Sequence, residues 1–154
     1  MKNWPKKNFQ KSNLGFTLLE TLLVISLFAI LAGTSIPVYY SFQMRNELTT
    51  TTNNISQSLK RAQTLSQAVD GDSSWSVHIQ LGKLTIFKGS DYNSRDFQND
   101  EDFDIPTSIT PSGLSDIVFQ KFTGEPTNTG TITLSSKINE QRTLTINSKG
   151  MITY

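Results

Sequence analysis

The chain has 154 residues, 36% hydrophobic and 18% charged, which fits one domain plus an appendage and excludes both a disordered and a wholly membrane-embedded protein. It has no cysteine, so disulfides, thiolate nucleophiles and cysteine-based metal sites are excluded. Formal net charge is +1, but the segment before Phe16 holds Lys2, Lys6, Lys7 and Lys11 and no acid; the remainder carries −3 and has no global attraction to nucleic acid.

The basic segment ends at Gly15, and an apolar run, FTLLETLLVISLFAILAGTSIPVYY, follows from Phe16 to Tyr40. Its length matches the ~20 residues a helix needs to span a hydrocarbon core. The lysines before it predict a cytoplasmic N-terminus, and Tyr39, Tyr40 and Phe42 would sit at the opposite interface. Glu20 is the only charge in the run. A mid-membrane acid costs roughly 2.5–3.5 kcal/mol, so Glu20 calls for a positive partner. A secretory signal peptide has a shorter apolar core, ~7–15 residues, followed by a cleavage site. Here the run is longer and continues into an amphipathic helix. A plain single-pass anchor explains the length but neither Glu20 nor the Gly15–Phe16 junction. Pro37 removes a backbone donor late in the run, so a helix kink or local unwinding is expected there, with Gly33, Thr34 and Ser35 weakening the same stretch.

This N-terminal third resembles that of type IV pilins and pseudopilins, through the basic leader ending at Gly15, the aromatic Phe16, the TLLE continuation and Pro37. The resemblance implies that a membrane aspartyl peptidase cuts after Gly15 and methylates Phe16. It also implies that Glu20 neutralises the amino group of Phe16 in a neighbouring subunit during assembly. The physics agrees with that role, since an unpaired buried charge is costly and pairing in a helix bundle offsets the cost.

Beyond Tyr40 the helix is expected to continue to Gly71. Leu48, Thr52, Ile55, Leu59, Ala62, Ser66 and Val69 fall at four-and-three spacing, and Leu65 and Ala68 widen the stripe. The run Thr49 to Asn54 is a poor helix former and depends on packing. Gly71, within Asp70-Gly71-Asp72, reads as the C-terminal cap. From residue 72 the chain reads as short strands. Trp75, Val77, Ile79 and Leu81 alternate with Ser76, His78 and Gln80, one buried face and one wet face. Gly82-Lys83 turns the chain into a second strand, Leu84 to Lys88. Further strands are expected over Ile117 to Phe122, Thr131 to Ser135, Thr143 to Asn147 and Met151 to Tyr154, with turn clusters at 124–126 and 148–150. A long helix followed by antiparallel strands is an α+β plan, with the helix stripe covering one sheet face. The phrases Phe119 to Gly124, Gly130 to Leu134 and Leu144 to Ile152 resemble the C-terminal domain of GspH/FimT-type minor pilins and pseudopilins.

Three candidates for further chemistry stand beside bland readings. His78, the only histidine, falls on the polar strand face as a solvated residue, and without cysteine or a second histidine there is no zinc set. The acid-rich segment 89–104 reads as a solvated connecting loop. Asp100, Asp102 and Asp104 have the alternate spacing that can ring a hard cation, and some pseudopilins bind calcium in their β regions, but the EF-hand glycine and distal Glu are missing. Lys137, Arg142 and Lys149 read as strand-surface charges. The alternative, drawn from FimT-like proteins that bind DNA, is a basic patch lacking the interleaved aromatics that stack bases. No nucleophile elbow or phosphate-binding glycine loop occurs, so a non-enzyme without cofactor is expected.

The resulting plan is a cleaved leader (1–15), a long helix (16–71) with an apolar membrane or filament-core half (16–40), and a β-rich, pilin-like domain (72–154). The resemblance implies a filament subunit, minor pilin or pseudopilin, of a type IV pilus or type II secretion-like apparatus. Its partners would be a prepilin peptidase, other pilin subunits, the cytoplasmic membrane and assembly platform proteins, with nucleic acid as the alternative. Before assembly it would be a single-pass cytoplasmic membrane protein with its C-terminal domain outside, and afterwards part of an extracellular or periplasmic filament.

Overall fold

The apolar run and the amphipathic stripe after it form one helix, α1 (Leu18–Gln67), with Pro37 inside it. The computed structural model describes residues 15–154; the lysine-rich leader, residues 1–14, lies outside the described residues. The chain divides after Val38 into two units.

In the first unit α1 is apolar and unburied. Leu19 is 76% exposed, Phe28 66% and Ile36 74%. The hydroxyls in this stretch are turned inward along the helix. Thr21 Oγ1 donates to Leu18 O (2.9 Å), Ser26 Oγ to Leu23 O (2.8 Å), Thr34 Oγ1 to Leu31 O (3.1 Å) and Ser35 Oγ to Leu31 O (2.7 Å). Bonding a hydroxyl to a carbonyl one turn back removes the polar cost of exposing it to hydrocarbon.

The second unit begins at Tyr39. Its strands are β1 (Trp75–Gln80), β2 (Lys83–Lys88), β3 (Glu101–Asp104), β4 (Ile109–Gly113), β5 (Asp116–Phe119), β6 (Gly130–Ser136), β7 (Gln141–Ile146) and β8 (Ile152–Thr153). They form two antiparallel sheets, ordered β3-β2-β1-β5 and β4-β6-β7-β8. In the first, Ile86, Val77 and Ile117 stand in one register row; in the second, Ile132 pairs with Leu144. All five are fully buried, and with Leu48, Ile55, Leu59 and Ala62 of α1 they belong to one core. Burying each Leu or Ile contributes on the order of 1.5–3 kcal/mol, which is why the threonine-rich stretch of α1 stays helical. Thr51 and Thr52 are themselves buried, and Thr52 Oγ1 bonds Leu48 O at 2.7 Å.

Ser66 ties the end of α1 to the first sheet. Its fully buried hydroxyl accepts from Trp75 N (2.8 Å) and donates to Phe119 O (3.1 Å). The chain passes from one sheet to the other at residues 113–115, where Leu114 N bonds Thr131 O (3.0 Å) and Ile79 N bonds Ser115 O (2.7 Å). Gly113 makes the passage at φ 93°, where a Cβ would lie 2.2 Å from Thr131 O. Only glycine fits.

Several details differ from the sequence expectation. Helix α1 stops at Gln67 rather than at Gly71, because Val69 takes the left-handed conformation (φ 56°) and a short 3-10 turn follows over Asp70–Asp72. Ala68 is exposed instead of widening the stripe. The segment 89–104 is not loop throughout, since β3 forms the edge of the first sheet. Strand β4 was not expected. Ser76 and His78 do not face water: Ser76 is buried with its hydroxyl on Gly89 O (2.5 Å), and His78 has a side chain only 16% exposed.

Candidate functional site

The N-terminal end of α1 gathers the features that composition cannot explain. Thr17 precedes the helix, and its Oγ1 accepts from Glu20 N at 3.2 Å. Thr17 and Glu20 thus have capping-box spacing, and the threonine half of the box is formed. The Glu20 carboxylate has no partner among the described residues, while every residue around it is exposed and apolar or a back-bonded threonine. It lies in the first turn, where the helix dipole favours a negative charge. Phe16 is 82% exposed. A Cβ on Gly15 would meet nothing within 4 Å, so packing does not require glycine here.

An 18-residue window of α1 has mean hydropathy 2.1 and none of it is buried. By length and composition the helix can cross a membrane, and its exposure is unlike that of a soluble protein's core helix.

The other candidates are dispersed. Asp100 pairs with Arg95 (Oδ2 to Nε, 2.8 Å), and both side chains are 10% exposed. Asp102 pairs with Lys83 Nζ (2.9 Å) and accepts from Thr85 Oγ1 (2.8 Å). The hydrogen bond from Lys83 holds the Asp102 carboxyl below its usual range. Asp104 is exposed on β3 with no such partner. Among the described residues no three His, Asp or Glu side chains come together as a metal set. Lys137 and Arg142 sit near the β6–β7 turn, whereas Lys149 lies beyond the other end of β7 and is paired with Glu125 (2.6 Å). The three do not form one patch.

Sequence reasoning missed a cluster on the outer side of the first sheet. His78 Nδ1 lies 2.6 Å from Asp116 Oδ1, and the imidazole stacks on Tyr92 with centroids 3.8 Å apart. The Arg95 guanidinium covers Tyr92 at 3.6 Å. These contacts clamp the loop after β2 over Ser76 and His78. Strand alternation gave no sign of it, because the covering residues come from a polar loop.

Residues 10–36 match a family model, the prokaryotic N-terminal methylation motif, spanning the Gly15–Phe16 junction and Glu20. The N-terminus is therefore similar to that motif. The fold that follows it is similar to a solved structure, the minor pseudopilin EpsH from the type 2 secretion system of Vibrio cholerae. The likeness has a TM-score of 0.52 at 15% identity, covering 70% of this chain and 94% of that one. No curated protein sequence matches the chain. A match to the N-terminal methylation motif thus precedes a fold similar to that of a minor pseudopilin.

Proposed function

We propose that the chain is a structural subunit, a minor pilin or pseudopilin, of a type IV pilus or type II secretion-like filament. A prepilin peptidase cuts between Gly15 and Phe16 and methylates Phe16. The apolar half of α1 holds the subunit in the cytoplasmic membrane, with the β domain on the far side, until an assembly platform transfers it to the filament. There Glu20 of one copy meets the amino group of Phe16 of another and sets the register, and Pro37 gives the helix a point of yielding. The role is mechanical, not catalytic.

One observation carries this reading: a lone carboxylate, Glu20, unpaired among the described residues, in the first turn of an otherwise apolar, exposed helix within the matched motif. A plain anchor has no use for it. Intact-mass analysis of the chain from its native membrane tests the proposal. The expected species lacks residues 1–15 and carries one added methyl on Phe16. Recovery of only full-length chain from cells with an active peptidase would refute it.

A further inference from the structure

Within the second unit, two open grooves flank α1 at the same height. Each is about 430 Å³ in volume. One runs between the helix and the residues after β3, and Tyr39, Phe42, Glu47, Asn54, Asp104 and Pro106 are among its lining. The other lies between the helix and β7 and is lined by Arg45, Leu48, Glu140, Gln141 and Arg142. Successive helical residues turn by about 100°. Glu47 and Asn54 therefore share one flank of the buried stripe, and Arg45 lies on the other.

Their charges are opposite. The first groove holds two carboxylates and no base. Glu47 is kept ionised by the Ser108 hydroxyl and then the Gln43 amide, with Lys137 a weaker, more distant influence. The Asp104 carboxylate has no hydrogen-bond or ion-pair partner among the described residues. In the second groove Arg45 is neutralised by Glu140 at 2.7 Å, which leaves Arg142 exposed and without an acid among the described residues. The first groove is thus net negative, with two carboxylates and no base, and the second net positive, with Arg142 left over from the Arg45–Glu140 pair. The first also exposes aromatic rings, Tyr39 at 70% and Phe42 at 63%. A guanidinium suits a site that joins a carboxylate to aromatic faces, because it can pair with one and stack on the other.

We propose that these grooves are the two halves of a side-by-side contact between copies of this chain, with Arg142 of one copy seated against Asp104 and the Tyr39–Phe42 rings of the next. Such a contact is heterologous, since different surfaces meet. It gives no two-fold dimer, and it propagates as a filament where its rotation does not close into a ring. The inference rests on the filament reading and names the surface by which the β domains adjoin.

The absence of cysteine makes the test clean. Full-length chain carrying Asp104→Cys and Arg142→Cys together, oxidised in native membranes or sheared filaments, should give a ladder of disulfide-linked multimers. Either single variant should stay monomeric. In parallel, Asp104→Arg alone or Arg142→Asp alone should lower incorporation into filaments about five-fold or more, and the combined swap should restore it. Normal incorporation of the double-cysteine chain without a ladder would overturn the contact and leave the filament reading standing. So would a swap that fails to rescue. Single-cysteine dimers would point to a like-on-like contact and also overturn it. Absence of the unaltered chain from filaments would overturn both.

Discussion

The same residue types do opposite things in the two units of this chain. Leucines and isoleucines of α1 before Val38 are exposed, as with Leu22 at 57% and Ile25 at 66%, whereas Leu48, Ile55 and Leu59 on the same helix are buried to within 1%. The second unit brings two sheets to cover its stripe; the first brings nothing. A helix left apolar on every side completes its burial in lipid or among other helices. One unit is therefore covered by its own chain and the other is not, so substitutions in the two should be read by different measurements.

The largest effect is expected at the junction. Gly15→Leu should abolish processing, with only full-length chain in an intact-mass spectrum, while circular dichroism of the domain stays unchanged because Gly15 packs against nothing. Glu20→Ala should be cleaved normally yet be strongly depleted from sheared filaments relative to the membrane pool. Equal partition would favour a plain anchor and erase the distinction between the units' roles. In the self-sufficient unit, a fragment covering 39–154 should be soluble. Leu59→Ala within it should cost roughly 2–5 kcal/mol in denaturant unfolding, because the side chain is fully buried. A loss below about 1 kcal/mol would mean the stripe is not core.

Smaller effects concern surface charge. Glu47 and Asp102 are held below their ordinary values, so they stabilise the fold above those values. That contribution is lost as pH falls past them and through the depressed folded-state values. A shallow decline in melting temperature on the acid side is expected, reduced in Glu47→Gln. Smallest of all, duplex DNA should bind the 39–154 fragment no more tightly than about 10⁻⁴ to 10⁻⁶ M at physiological salt, the non-specific range. Submicromolar binding lost in Lys137→Ala/Arg142→Ala would make nucleic acid a partner.

Periodicity made the helix stripe, the β1–β2 hairpin and β5 to β8 legible as elements, but burial follows the spacing only in part: both faces of β1 and β2 are covered, while Leu81, Met151 and Tyr154 are exposed. The two strands it missed are both edges. Strand β3, Glu-Asp-Phe-Asp, reads as loop because acids disfavour strands, yet an edge tolerates charge, and Glu101 and Asp102 are paired with Arg61 and Lys83. Strand β4 contains Pro111, which only an edge accommodates, and it pairs on one side only, with β6. The helix end was misplaced because Gly71 looked like the natural left-handed residue, but Val69 adopts that conformation first. At the N-terminus the motif was legible residue by residue, since one carboxylate in an apolar run stands out in composition alone. The clamp on His78 was not, because its partners are distant in sequence and ordinary in type.

The inward-turned hydroxyls of Thr21, Ser26, Thr34 and Ser35 have a consequence for the proposed transfer from bilayer to filament. With those groups satisfied along the helix's own backbone, the outer skin of residues 18–38 is hydrocarbon interrupted by one ionic group. Exchanging acyl chains for neighbouring helices then breaks no hydrogen bond of the side chains and makes none, so the two media are close to equivalent for most of this surface. Under that proposal the partition between them would be left to Glu20, the one ionic group of residues 18–38.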